Sequence, residues 1–175
     1  CVTGVQTCAL PISPYASLLP TGGGLQEYGD SLVAKLLQAQ ALGFRAAKLE
    51  VCINGPYSHG GLQAPDVEIE RIVDRCRSAV GGDMTLMVDV AYAWSDAKRA
   101  LQQLERLSRY DLFFVETPLD IDDVAGHAFL RAHSPVRIAA GEWQNTHFEF
   151  LDLVDRGCLD VLQPDVGRVG GFTEA

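Results

Sequence analysis

Several short apolar runs in this chain end in a carboxylate. Thr85-Leu86-Met87-Val88 leads into Asp89, Leu112-Phe113-Phe114-Val115 into Glu116, and Val136 to Gly141 into Glu142. The acids stand 27 residues apart (116 − 89) and then 26 (142 − 116), about the length of one strand-plus-helix unit. A further run, Leu159 to Gln163, delivers Asp165 after another 23 (165 − 142), and upstream Arg45-Ala46-Ala47 leads into Lys48. A repeated βα unit places the C-terminal ends of all its strands on one face, so these charged groups converge in space although they are far apart in the chain. Three convergent carboxylates offer a hard divalent cation the oxygen ligands it prefers, which favours Mg²⁺ over zinc. A lone acid after a strand is often only a helix cap or a solvated charge. Four in register point to a metal-dependent enzyme.

The elements that must position these groups follow from the pattern of apolar residues and breakers. Pro14 to Leu19 reads as a first strand, followed by a loop with Gly22-Gly23-Gly24, which lacks the spacing of a phosphate cradle. Leu32, Leu36, Leu37 and Ala41 make a helical stripe closed by Gly43, and Phe44 to Val51 is the second strand. Cys52 to Ala64 is a long irregular loop. Pro65-Asp66 opens a helix whose buried stripe is Ile69, Ile72, Val73, Cys76 and Val80. Ser95 is the expected cap of the next helix, with Ala97, Ala100, Leu101, Leu104 and Leu107 inward. Further helices are expected near Asp122 to His133 and His147 to Asp155, and Gly170 to Ala175 reads as the start of another. Strand and helix alternate throughout, which predicts an α/β fold with a parallel sheet: a partial (β/α)8 barrel of about six βα units.

Composition bounds the class. The 175 residues are 47% hydrophobic, enough for one real core, but a complete eight-unit barrel needs roughly 250. A formal net charge of −9 argues against nucleic acid or an anionic membrane as partner. No apolar stretch approaches spanning length. Cys1, Cys8, Cys52, Cys76 and Cys158 lack paired metal spacing and suit a reducing cytoplasm. Val2 to Ile12 is similar to the translation of a short-read sequencing adapter. Residues 1–12 are therefore expected to be foreign to the fold and to form no strand in its sheet, with the domain running over 13–175.

The settings of the acids sharpen the picture: Met87-Val88-Asp89, Val115-Glu116-Thr117-Pro118, Ala140-Gly141-Glu142, and Leu162-Gln163-Pro164-Asp165-Val166-Gly167. With these motifs the chain resembles the mandelate racemase subgroup of the enolase superfamily from about Tyr15 to Ala175. The resemblance implies that Asp89, Glu116 and Glu142 hold Mg²⁺ and that Asp165 orients a catalytic His from a seventh strand. Lys48 corresponds to the first lysine of a Lys-x-Lys motif and would help neutralise the substrate carboxylate. The reaction implied is removal of the proton next to a carboxylate, with the resulting enediolate stabilised by the metal and a nearby ammonium.

The departures from the pattern narrow the reaction. Glu50 stands where the second lysine is expected, and period-two geometry keeps it on the same side of the strand as Lys48. That disfavours a two-base racemase and favours one-base dehydration of a sugar acid. A racemase or epimerase of a 2-hydroxy acid, or a non-catalytic metal-binding relative, are the alternatives. Ala91 replaces an Asn or His two residues after the Asp ligand. His59, in the long loop, and Glu50 are candidate substrate contacts, although a plain solvated histidine also explains His59. Tyr57 and Trp143 are candidates for the pocket lining, while His127, His133 and His147 carry no assigned role. The full-length parent is expected to be a homo-oligomer with a capping domain, and this chain alone to be inactive.

Overall fold

The structure, a computed structural model, describes residues 13–175. The expectation that Val2 to Ile12 forms no strand lies outside the described residues. Six strands form one parallel sheet in sequential order: β1 (Ala16–Leu18), β2 (Ala46–Glu50), β3 (Thr85–Asp89), β4 (Leu112–Glu116), β5 (Ile138–Ala140) and β6 (Val161–Leu162). Between them run α1 (Leu25–Ala41), α2 (Val67–Val80), α3 (Ala97–Leu107), α4 (Val124–His133) and α5 (His147–Asp155). This is a six-strand sector of the expected barrel, with β1 and β6 at its edges.

Two apolar layers follow from the period of two along each strand. Ala47, Leu49, Leu86, Val88, Val115 and Ile138 face the helices and join Leu32, Leu36, Ile69, Ile72, Val73, Ala100 and Leu104 in the main core. The opposite face carries a much smaller cluster of Met87, Phe114 and Ala139, with Ala46 and Val161 packed against it. Side chains from β2 through β6 share that small cluster, so the sheet curls around it. Lys48, Asp89 and Glu116 stand on the same concave face, Lys48 at the middle of β2 and the two acids at the C-terminal ends of β3 and β4.

The register puts the acids side by side. Glu50 is opposite Asp89, and Asp89 is opposite Glu116. Between Leu86 and Val88 the pairing shifts, because Leu86 faces Leu112 while Val88 faces Val115. One extra residue in β4 resets its alternation. Phe113 is left 42% exposed with Arg137 over its ring, and Phe114 and Glu116 face inward.

At the opposite rim, where the strands begin, Arg77 of α2 ties separate connections together. Its guanidinium donates to the carbonyls of Gly81, Met84, Tyr110 and Asp111 at 2.7 to 3.1 Å.

Several details differ from the sequence reading. The cap of α3 is Asp96, whose carboxylate accepts from the Arg99 amide at 2.9 Å, and Ser95 lies outside the helix. On α1 the stripe turns to Tyr28, Leu32, Leu36 and Ala39, leaving Leu37 and Ala41 exposed. Gly170 and Gly171 hold φ of 96° and 103°, so the tail forms turns and does not start a helix. The stripe of α2 is buried as expected, and α5 has the expected bounds, with Thr146 and Glu149 closing a capping box. No described helix is long and apolar enough to cross a membrane.

Candidate metal centre

Lys48 lies at the centre of the strand-end charges. Its Nζ donates to both oxygens of Glu116, at 2.8 and 2.7 Å, and stands 3.7 Å from Asp89 Oδ2. The Lys48 and Glu116 side chains are only 11% and 2% exposed. Burial works against the charged lysine, but Glu116 and then Asp89 outweigh it and hold the ammonium pKa above its ordinary value. Burial, followed by repulsion from Asp89, pushes the Glu116 carboxyl up, and only Lys48 and Gln163 oppose this. The pocket therefore contains more negative charge than its own lysine neutralises.

The backbone just past β3 and β4 orients Asp89. Ala91, Tyr92 and Thr117 all adopt left-handed conformations, with φ of 47°, 61° and 49°. Non-glycine residues rarely hold such angles unless the surroundings enforce them. Here the turns bring the Ala91 amide and the Thr117 hydroxyl onto Asp89 Oδ1, at 2.9 and 2.8 Å, so Oδ2 is the oxygen turned toward Lys48.

Glu142 reaches the same rim from β5. It follows Gly141, whose φ is 124° and where a Cβ would stand 2.6 Å from the Phe150 ring, so only glycine fits there. Oε1 of Glu142 accepts from the Tyr92 hydroxyl at 2.9 Å and from Trp143 Nε1 at 3.1 Å. Gln163, just past β6, donates to Glu116 Oε2 at 2.7 Å, while its own buried Oε1 has no partner. Lys48, Glu116, Glu142, Gln163, Asp165 and Tyr15 line one open cleft of about 520 Å³.

The three acids share this rim but do not close on a point. Among the described residues, the trio of ligand-type side chains whose donor atoms lie within 4.8 Å of one another is Glu50, Cys52 and His59. Lys48 stands between Asp89 and Glu116, and Tyr92 holds Glu142 to one side. The donors still suit a hard cation: all are oxygens, two of the carboxylates are buried, their charge exceeds that of Lys48, and a buried amide oxygen is unpartnered beside them. Asp165 is half exposed and accepts from the Gly167 amide at 2.7 Å in a tight turn.

Glu50 does face the concave side, where its Oε2 stands 3.3 Å from His59 Nε2. Burial and then Asp89 push its carboxyl pKa up. His59, about a third exposed, packs against Tyr28 and Glu50. Tyr57 is exposed and meets Tyr92 edge to face. Trp143 is covered by Arg168, 4.3 Å from its ring centre.

The sequence reading missed Tyr92, Thr117 and Gln163. Gln163 was within reach, since it precedes Pro164-Asp165 at a strand end. Nothing in the local pattern marks the left-handed turns that aim the other two.

The chain matches the family described as Enolase C-terminal domain-like over residues 31–175. It belongs to that family. The L-talarate/galactarate dehydratase of Salmonella typhimurium is 30% identical over 153 residues, covering 87% of this chain and 36% of that protein. Among solved structures, an enolase from Bradyrhizobium complexed with magnesium and mandelic acid superposes with a TM-score of 0.79. That match has 27% identity and covers 99% of this chain and 44% of that one. L-Talarate dehydratase from Polaromonas sp. JS666, complexed with Mg and L-glucarate, gives a TM-score of 0.73 at 28% identity, covering 94% and 43%. The chain thus spans about a third of the length of the curated relatives it matches. The six-strand sheet is accordingly a sector of the enolase-type barrel.

Proposed function

We propose that the protein carrying this chain is a Mg²⁺-dependent dehydratase of acid sugars. The observation that carries this reading is the Lys48 ammonium hydrogen-bonded to buried Glu116 and 3.7 Å from buried Asp89, in a cleft that Glu142 and Asp165 also line. Asp89, Glu116 and Glu142 would hold the ion, with Asp89 Oδ2 already turned inward. Bound there, Mg²⁺ would supply positive charge to the substrate carboxylate and to the charge that develops on it as the α-proton leaves.

The chain's own groups do the rest. Lys48 would present a fixed, largely buried ammonium beside the same carboxylate. Tyr92 and Gln163 fix the orientation of Glu142 and Glu116. Asp165, at the cleft wall, orients the base, which in this reading is a histidine beyond the described residues. Glu50 stands where a second lysine would act as a base on the other side of the substrate, and this favours elimination of water over racemisation.

The test is to assay the full-length protein with Mg²⁺ against a panel of aldonic and aldaric acids in D₂O. The expected product is a 2-keto-3-deoxy acid, with the rate falling at least about 10²-fold in Lys48→Met. Deuterium entering the α-carbon without loss of water would replace dehydration with epimerisation. A protein that binds Mg²⁺ but neither exchanges the α-proton nor eliminates would be the non-catalytic relative.

A further inference from the structure

The connection after β2 carries a second group of ligand-type side chains, distinct from the carboxylates proposed to hold Mg²⁺. A carboxylate oxygen of Glu50, the Sγ of Cys52 and a ring nitrogen of His59 lie within 4.8 Å of one another. Tyr28 on α1 fixes the arrangement from behind. Its hydroxyl gives its proton to the Glu50 carbonyl and accepts from the Cys52 amide, both at 2.8 Å. A phenol has a single hydrogen, so its 3.3 Å bond to His59 Nδ1 must be donated by the ring. Nδ1 therefore carries the proton, and in neutral His59 the Nε2 lone pair points at Glu50 Oε2, 3.3 Å away.

Two acceptor lone pairs facing each other at that distance need either a proton or a metal ion between them. A tetrahedral zinc with bonds of about 2.0 to 2.1 Å to nitrogen and oxygen sets those two ligands about 3.3 Å apart, which matches the separation present. Local charge also favours a cation: Glu50 stands opposite Asp89, with Glu116 beyond it, and Lys48 is already paired with those two acids. Thiolate and imidazole select zinc over Mg²⁺, and three protein ligands leave a fourth position for solvent.

We propose that Glu50, Cys52 and His59 form a second metal site, selective for Zn²⁺, with Tyr28 positioning His59. This does not depend on the dehydratase reading, which uses a different, all-oxygen set.

Cobalt(II) serves as the spectroscopic probe, added to the 175-residue chain carrying Cys1→Ser and Cys8→Ser with excess Mg²⁺ present. One equivalent is expected to produce thiolate-to-cobalt charge-transfer absorption, displaced by Zn²⁺ and not by further Mg²⁺. His59→Ala, on a partly exposed turn, should abolish the band, and Glu50→Gln provides the same test if that variant does not fold. Tyr28→Phe should keep the band but weaken binding by about 10 to 100-fold. Absence of the band would mean that His59 is simply protonated onto Glu50. A band that survives both ligand variants would assign it to Cys76 or Cys158. Either result overturns the proposal, and neither bears on turnover of acid sugars.

Discussion

Lys48 and Glu116 neutralise each other in a place where neither is comfortable alone. Removing the ammonium as Lys48→Met leaves Glu116 and Asp89 facing each other in a dry pocket, which costs about 3 kcal/mol. Urea denaturation of the chain without divalent ions should show that loss. His127 makes the opposite kind of prediction. Burial holds its imidazole pKa below the ordinary value, and its Nε2 has no partner among the described residues. The unfolded chain takes up a proton near pH 6.5, before the folded one does. The stability this histidine contributes is therefore present above that pH and lost as the pH falls toward the folded value. His127→Leu should flatten melting temperature between pH 7 and pH 5.5, a window above that of paired carboxylates. At this scale the sequence was partly legible. Asp89, Glu116 and Glu142 stand out because each ends an apolar run. Tyr92 and Thr117 do not, because their contacts depend on backbone angles that no residue type announces.

The helix caps show how local competition blurs an element's edge. Ser95 and Asp96 can both cap, and the choice falls to Asp96, whose extended backbone lets its carboxylate reach the Arg99 amide. Asp96→Ala is expected to cost about 1 kcal/mol and Ser95→Ala less than about 0.5, read as shifts in denaturation midpoint. Most elements were legible because their periodicity is strong: α2 alternates buried and solvated residues at helical spacing throughout. On α1, Leu37 belongs to the apolar pattern yet faces solvent, since the buried arc there is narrower than the pattern. The extra residue in β4 was invisible for a related reason. Leu112-Phe113-Phe114-Val115 is apolar at every position, so neither face can be read from it, and only pairing with β3 reveals which phenylalanine turns inward.

At the scale of the molecule, the sheet leaves β1 and β6 without neighbours on their outer sides among the described residues. Beside β6, the outer face of α5 exposes Phe148, Leu151 and Val154. Unpaired strand edges next to apolar surface promote association. The isolated chain is expected to sediment as species larger than a monomer, in proportions that rise with concentration; a single monomeric boundary throughout would refute this. The same preparation should not turn over acid sugars, because no histidine among the described residues lines the cleft of Lys48, Glu116 and Asp165. The two rims of the sheet also divide their duties. Arg77 fastens one rim through four backbone carbonyls, and the other carries the carboxylates, the long loop and the left-handed turns at Ala91, Tyr92 and Thr117. A library randomised in the loops of the second rim can therefore be selected for new specificity while the fastening beneath stays whole. Evolution of this scaffold toward other substrates would have the same freedom.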